Sequence, residues 1–328
     1  MRSSVKRLCL ALLLGGFSLA VSAQQIEQSG DEVAADEAHI DCTALGQQST
    51  PQSGKEWLRR SLWAGHCRIY QARAVRIGVD GVRTLALSHE VHDGVEREVL
   101  HFLDGDPVTF ERHGASAAVI HGAHGLIPAS PDAIIQHLDG RYRIRLAGEE
   151  RIAGRMAVRV DIEPLDEFRY GRRLWLDTET ALPLKQELLD ERSRVLETFQ
   201  MVELGEARLH QGSVALIHGS LPTDEEWQPG WLPPGFESQP VMTSSAASDI
   251  AHRIYGDGLA TLSLFIEPLH GQPSLKPGLH RLGVSQAVVL QRHVDGQPYQ
   301  VMAMGELPPE VLQRVAQGVE WSGKSDNG

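Results

Sequence analysis

YGRRLWLDTETALPLKQELLDERSRVLETFQMV, residues 170–202, reads as three consecutive antiparallel strands. Arg173 to Asp177 alternates about Leu174 and Leu176, TETALP turns the chain, and Leu184 to Leu189 forms the second strand. Asp190 and Glu191 open a second turn into Val195 to Val202. Successive side chains of a strand point to opposite sides, so Leu196, Thr198, Gln200 and Val202 share one face of that third strand. Val195, Glu197, Phe199 and Met201 share the other. Period-two alternation interrupted by Asp, Thr and Pro is the sequence signal of hairpins. The stretch holds no nucleophile and no metal-ligand set, which suggests a binding scaffold rather than an enzyme.

Upstream, strands are expected at Cys67 to Val79, Thr84 to Val91, Glu98 to Leu103, Thr109 to His113 and Ala117 to Ile120. They are separated by Asp80-Gly81, Asp93-Gly94, Asp104-Gly105 and His113-Gly114, and Asp-Gly between alternating runs marks tight hairpins. Connections this short make antiparallel neighbours. Gly125 to Ala129 reads as a loop. Ser130 then caps a helix with Pro131 in its first position and Ile134, Ile135 and Leu138 on its apolar side. Arg141 to Leu146 and Ala157 to Ile162 add two more strands. An earlier helix, Gly54 to Ala64, gathers Trp57, Leu58, Ser61 and Leu62 on one face and turns Arg59 and Arg60 away. Either that face packs on the sheet, or Trp57 and Trp63 line a ligand cavity. About ten strands and two helices before residue 205 make an α+β architecture, a large curved antiparallel sheet closed on one side by helices. Such a half-barrel can hold an apolar ligand between sheet and helices.

After a weakly patterned link a second, smaller α+β domain is expected. It has four strands, Asp249 to Ile254, Gly258 to Pro268, Val284 to Val294 and Tyr299 to Gly305. A helix opened by Pro308 and Pro309 carries Val311, Leu312, Val315 and Val319 on one face. The chain thus divides into a signal peptide (1–23), a polar arm (24–53), a half-barrel domain (54–218), a linker (219–228), a small domain (229–322) and a tail (323–328).

The first 23 residues carry Arg2, Lys6 and Arg7, then a short apolar run, then Val21-Ser22-Ala23, the pattern of a cleaved export signal. The alternative, an uncleaved anchor, needs a longer apolar run. Cys9 lies inside that run, which disfavours a lipoprotein. Cleavage leaves Cys42 and Cys67 in an oxidising compartment, where they form either a disulfide or two buried thiols. The formal charge of −12 becomes about −15 without the three leader cations. An acidic exported chain without a basic stripe is a poor nucleic-acid binder.

Chemical motifs are sparse. His113, His121 and His124 lie close in sequence, but no cysteine or HExxH accompanies them, and structural zinc needs four ligands. Exposed loop histidines, or modest pH sensing, are the readings left. There is no GxSxG elbow, no GxGxxG and no P-loop, and nothing implies a metal or cofactor.

Six motifs occur in order: LDGDPVTFERHG (103–114), AGRMAVRVDIEP (153–164), YGRRLWLDTETALPLK (170–185), WLPPGFE (231–237), YGDGLATLSLFIEP (255–268) and GELPP (305–309). In this combination the chain resembles the MucB/RseB family of periplasmic regulators of an envelope-stress sigma factor. The Cys42 and Cys67 pair is not general to that family. The resemblance implies a LolA/LolB-like half-barrel, able to accept acyl chains, joined to a small C-terminal domain. It implies a partner, the periplasmic region of a membrane anti-sigma factor, shielded from site-one proteolysis until lipopolysaccharide or another lipid releases it. The alternative is a periplasmic lipid or lipoprotein carrier with no regulatory partner, against which the second domain argues. Oligomeric state, including a homo-oligomer, stays open. Candidates for the lipid lining are Leu100, Phe102, Leu174, Leu176 and Phe199, with Arg172 and Arg173 beside lipid phosphates. Plain core, or for the arginines a solvated strand end, is the competing role. For the partner segment the candidates are Tyr255, Leu259, Leu262, Leu264 and Phe265.

Overall fold

The computed structural model describes residues 39–322 except 117–118, 123–124, 129, 218–225, 241–249 and 271–274. The signal peptide, the first part of the arm, His124 and the tail lie outside the described residues.

The large unit is an open antiparallel half-barrel. Its strands are β1 (Arg68–Gly78), β2 (Gly81–His92), β3 (Val95–Phe102), β4 (Thr109–His113), β5 (Tyr142–Ile152), β6 (Arg155–Pro164), β7 (Gly171–Asp177), β8 (Pro183–Leu189) and β9 (Val195–Leu204). They lie in the order β4-β3-β2-β1-β9-β8-β7-β6-β5, and Arg208–Leu209 adds a short tenth strand beside β1. The three strands of 170–202 therefore form the run β7-β8-β9, whose last member pairs with the first strand of the sheet. Two meanders, β1–β4 and β5–β9, are joined by that single long-range pairing. Asp93 (φ 51°) and Gly94 (φ 77°) make the β2–β3 turn with two consecutive left-handed residues, the arrangement that matches strand twist. Ala153 (φ 50°) and Gly154 (φ 79°) do the same between β5 and β6. That turn lets both strands run several residues further than the alternation alone predicts.

Four helices are described: α1 (Thr43–Gln47), α2 (Gly54–Cys67), α3 (Pro131–Leu138) and α4 (Pro309–Gln317). The Ser53 hydroxyl accepts from the Glu56 amide at the start of α2, and Glu56 reaches back to the Gln52 amide. This reciprocal arrangement is close to a capping box. Ser130 caps α3 in the same way, with Pro131 in the first turn. Trp57, Leu58 and Ala64 of α2 and Ile134 and Leu138 of α3 pack with Val158, Val160, Ile162, Leu174 and Leu176 in the main core. Trp57 is thus a core residue, while the Trp63 indole donates to Asp132 of α3.

The small unit is a six-stranded antiparallel sheet. Its strands are β10 (Glu237–Gln239), β11 (Ala251–Gly256), β12 (Thr261–Pro268), β13 (Gly278–Leu282), β14 (Ser285–Val294) and β15 (Gln297–Gly305), in the order β10-β11-β12-β15-β14-β13. Helix α4 packs Val311, Leu312 and Val315 against one face.

Four expectations are corrected, and the choice left open for the two cysteines is decided. The small sheet has six strands rather than four, because its edge strands β10 and β13 are short or polar and give no alternation signal. The polar arm is folded at its end: His39–Asp41 pairs with Ser213–Ile217, α1 follows, and Ile40, Cys42 and Leu45 are buried. Cys42 and Cys67 are joined as a disulfide. The linker ends early, since Trp227–Pro229 pairs with Val319–Trp321 and Trp227 is buried in the small unit's core. Gly125–Pro128, read as a loop, is a strand paired with Val119–Gly122.

Candidate functional site

Directly opposite residues of paired strands share a face, so the register assigns the sides of the sheet. Phe102, Leu85, Ala74 and Met201 form one row across β3, β2, β1 and β9. Arg76, Phe199, Gln186, Leu174 and Val160 form the next, across β1, β9, β8, β7 and β6. Leu100 lies two residues from Phe102, and Leu176 and Arg172 lie two from Leu174. All five apolar lipid candidates and Arg172 therefore occupy one face, the face the helices cover. Arg173 points the other way and pairs with Glu187 at 3.3 Å.

That inner face has two apolar regions. Leu174 and Leu176 belong to the core under α2 and α3. Ala74, Leu85 and Leu100 form a separate cluster on the β1–β4 wing, to which Leu87, Phe102, Phe110 and Phe199 are packed while only half-buried. Phe102 and Phe110 meet edge to face with ring centroids 6.2 Å apart, a favourable quadrupole arrangement. Of the five candidates, Phe102 and Phe199 keep accessible ring surface; Leu100 is 2% exposed and underlies them.

A belt of charge borders the wing. Arg76 donates from Nε to Glu197 at 2.6 Å and from Nη1 to Asp80 at 3.1 Å. Arg172 donates to Glu306, which belongs to the small unit, at 3.1 Å. Its guanidinium is buried in that contact, so Arg172 anchors the small unit and is not open to a lipid phosphate. Burial first, with the Glu306 charge adding to it against Arg76, pushes the Glu197 carboxyl up to about 7. Burial also raises Glu306 against the attraction of Arg172.

The small unit is seated further by Arg169 in the β6–β7 loop. Its guanidinium donates to Asp257 at 2.5 Å, to the Pro234 carbonyl at 2.8 Å and to Asp166 at 3.1 Å. It lies 5.4 Å from the Tyr142 ring centre and 5.5 Å from that of Phe236. Tyr142 donates its hydroxyl to Asp257 at 2.8 Å. Leu259, beyond that aspartate, packs against the large unit's core. Tyr255, Leu262 and Leu264 lie in the small unit's own core, and Phe265 lies on its opposite face, stacked 4.1 Å from His252. The five partner candidates are therefore not gathered into one groove. Leu259 is an intramolecular contact and the other four are buried.

A second buried network lies at the C-terminal end of α2. His66 Nδ1 and Glu96 Oε1 are 2.8 Å apart, His89 Nε2 stands 3.9 Å from the same oxygen, and His89 Nδ1 donates to the Arg68 carbonyl at 2.6 Å. Burial alone would push Glu96 up, but the two histidines outweigh it and bring it down to about 2. Burial likewise works against a charged His89, and Glu96 with the Arg68 carbonyl outweighs it, raising the imidazole.

Sequence reasoning missed the ionic contacts that seat the small unit. One signal was present: Glu197 shares a face with Phe199 and Met201, and a carboxylate in an inward row needs a cation. Nothing local pointed to its being joined there by Glu306, more than a hundred residues away.

The family model described as the MucB/RseB N-terminal domain matches residues 53–225, and the MucB/RseB C-terminal domain matches residues 222–320. The Sigma factor AlgU regulatory protein MucB of Pseudomonas aeruginosa is 35% identical over 283 residues, 80% of this chain and 89% of that protein. The Sigma-E factor regulatory protein RseB of Escherichia coli K12 is 25% identical over 83% of this chain and 92% of its own length. The structure of the Pseudomonas aeruginosa MucA/MucB complex aligns with a TM-score of 0.63 and 31% identity over 82% of this chain and 98% of the solved one. Two family models that together run from residue 53 to 320, across both the half-barrel and the unit seated on it, show that the chain belongs to the MucB/RseB family.

Proposed function

We propose that this protein is a periplasmic negative regulator of an envelope-stress sigma factor. It binds the periplasmic region of a membrane-bound anti-sigma factor, shields that region from site-one proteolysis, and is released by lipopolysaccharide or a related lipid. The observation that carries this reading is the near end-to-end match to a sigma factor regulatory protein and to its solved complex with MucA, covering both units. Binding, rather than catalysis, is the activity. The half-exposed wing of Leu87, Phe102, Phe110 and Phe199 over Leu85 and Leu100 is the proposed acyl-chain surface. A ligand that binds only the released form shifts the equilibrium by its differential affinity.

The test is an affinity measurement between the purified protein and a labelled periplasmic segment of the host's own anti-sigma factor, with and without lipopolysaccharide. Binding reversed by the lipid supports the regulator. Retention of lipid without binding of the segment assigns the protein to the carriers instead.

A further inference from the structure

Two arginines and three carboxylates meet where the small unit closes over the inner face. Glu306 stands between β15 and α4 and reaches Arg172 of β7. Glu197 of β9 is held by Arg76 of β1, which also binds Asp80 of the β1–β2 turn. Glu197, Glu306 and Arg172 line one small cavity of about 10 Å³, together with Gln186, Leu188 and Phe199. That is space for at most a single water. Glu306 Oε1 is buried there without a hydrogen-bond partner among the described residues. The elements packed around Glu306 face it with Arg172 from β7, Glu197 from β9 and Arg76 from β1; β8 contributes the uncharged Gln186 and Leu188.

The charge count decides the chemistry. Arg76, Arg172, Glu197, Glu306 and Asp80 sum to one excess negative charge, and the carboxylates that share the cavity are the two with least access to water. Arg76 is shared between Glu197 and Asp80, and a buried carboxylate that has only part of a cation beside a second buried carboxylate is most readily neutralised by a proton. We propose that Glu197 and Glu306, set between Arg76 and Arg172, form a proton-operated clasp that tightens the seat of the small unit on the half-barrel as pH falls.

The direction follows from linkage. With the units parted, both carboxyls are hydrated and titrate in the ordinary range near 4.5. Closed, Glu197 keeps its proton up to about 7, with burial as the main cause. The closed form therefore binds more protons than the open one between those values, and falling pH favours closure. For that one group the closing equilibrium changes by on the order of 50-fold between pH 8 and pH 5.

Hydrogen exchange of the full chain from pH 5 to pH 8, with labelling times corrected for intrinsic rates, reads the clasp. Amides of β7, β9 and the β15–α4 turn should gain protection by about that factor toward pH 5. The E197Q variant, which leaves Arg76 with Asp80 and Arg172 with Glu306, should be protected at pH 8 as the wild type is at pH 5, with little slope. A wild type without slope, or the full wild-type slope surviving in E197Q, overturns the proposal. Carbon-13 NMR of glutamate carboxyls separates a folding defect from a failed clasp. One carboxyl titrating near 7 and lost in E197Q supports the proposal, and all glutamates titrating below 5.5 overturns it.

Discussion

Arg169 and Asp257, eighty-eight residues apart in sequence, meet at 2.5 Å with both side chains wholly buried between the two units. Asp257 also accepts from the Tyr142 hydroxyl and from the amides of Leu259 and Ala260. All its oxygens are engaged, which is what makes a buried charge tolerable. D257A leaves Arg169 with only Asp166 and a carbonyl, and removing one partner of a buried pair costs about 3–5 kcal/mol. The loss should fall on the junction rather than on either core. Urea denaturation of D257A is expected to resolve into two steps where the wild type gives one. A single transition at an unchanged midpoint would show that the pair does not hold the units together.

The Cys42–Cys67 disulfide ties α1 and the paired strand before it to the end of α2. The cysteines are 25 residues apart, and the chain-entropy relation gives about 3.5 kcal/mol for closing a loop of that size. The segment it holds contributes Ile40 and Leu45 to the main core. C42A/C67A should lower the free energy of unfolding by that order and admit protease first near residues 42–53. A double variant as stable as the parent would mean that strand pairing with Ser213–Ile217 alone secures the segment.

What the residues disclose stops at a consistent place. Alternation in 170–202 gave the three strands and put Glu197, Phe199 and Met201 on one side, because the period of a strand is local. Asp-Gly pairs gave the first meander, since only a few residues take the left-handed conformation such turns need. Ser130-Pro131 and Pro308-Pro309 gave the helix starts for a different local reason, a capping hydroxyl at Ser130 and the fixed φ of proline in the first turn of each. Which strand faces look inward, and that Leu174 lies under helices while Phe102 lies on an open wing, depend on pairings between residues about a hundred positions apart. The partner candidates show the limit from the other side. Tyr255, Leu262 and Leu264 are apolar because they are core, and a core pattern does not distinguish itself from a groove in one dimension.

The His66–Glu96–His89 network predicts a pH window of stability. Glu96, depressed to about 2, contributes stability present above 4.5 and lost as pH falls toward 2. His89, raised above 6.5, contributes stability present below that value and lost as pH rises through its own. The network is therefore strongest between about 4.5 and 6.5. E96Q should cost roughly 3 kcal/mol within the window, where the depressed carboxyl is fully charged, and less at pH 8. Melting temperature measured against pH checks it, and a constant difference between E96Q and wild type at every pH would contradict it.

The aromatic wing carries the last prediction. Phe102 and Phe110 pack edge to face over Leu85 and Leu100, and both rings are half-buried. Changing them to glutamine removes apolar surface from the wing but takes little from the core beneath, so F102Q and F110Q should each cost about 1 kcal/mol of stability or less. An acyl chain lying on the rings loses more, because each ring offers contact area on its exposed side. About 1.4 kcal/mol per ring is a factor of ten in affinity. The lipopolysaccharide concentration that displaces a labelled anti-sigma segment should rise about tenfold in either variant, with affinity for the segment itself unchanged within twofold. Equal loss of both would place the rings in the partner's path instead, and an unchanged displacement curve would move the acyl-chain surface elsewhere on the molecule.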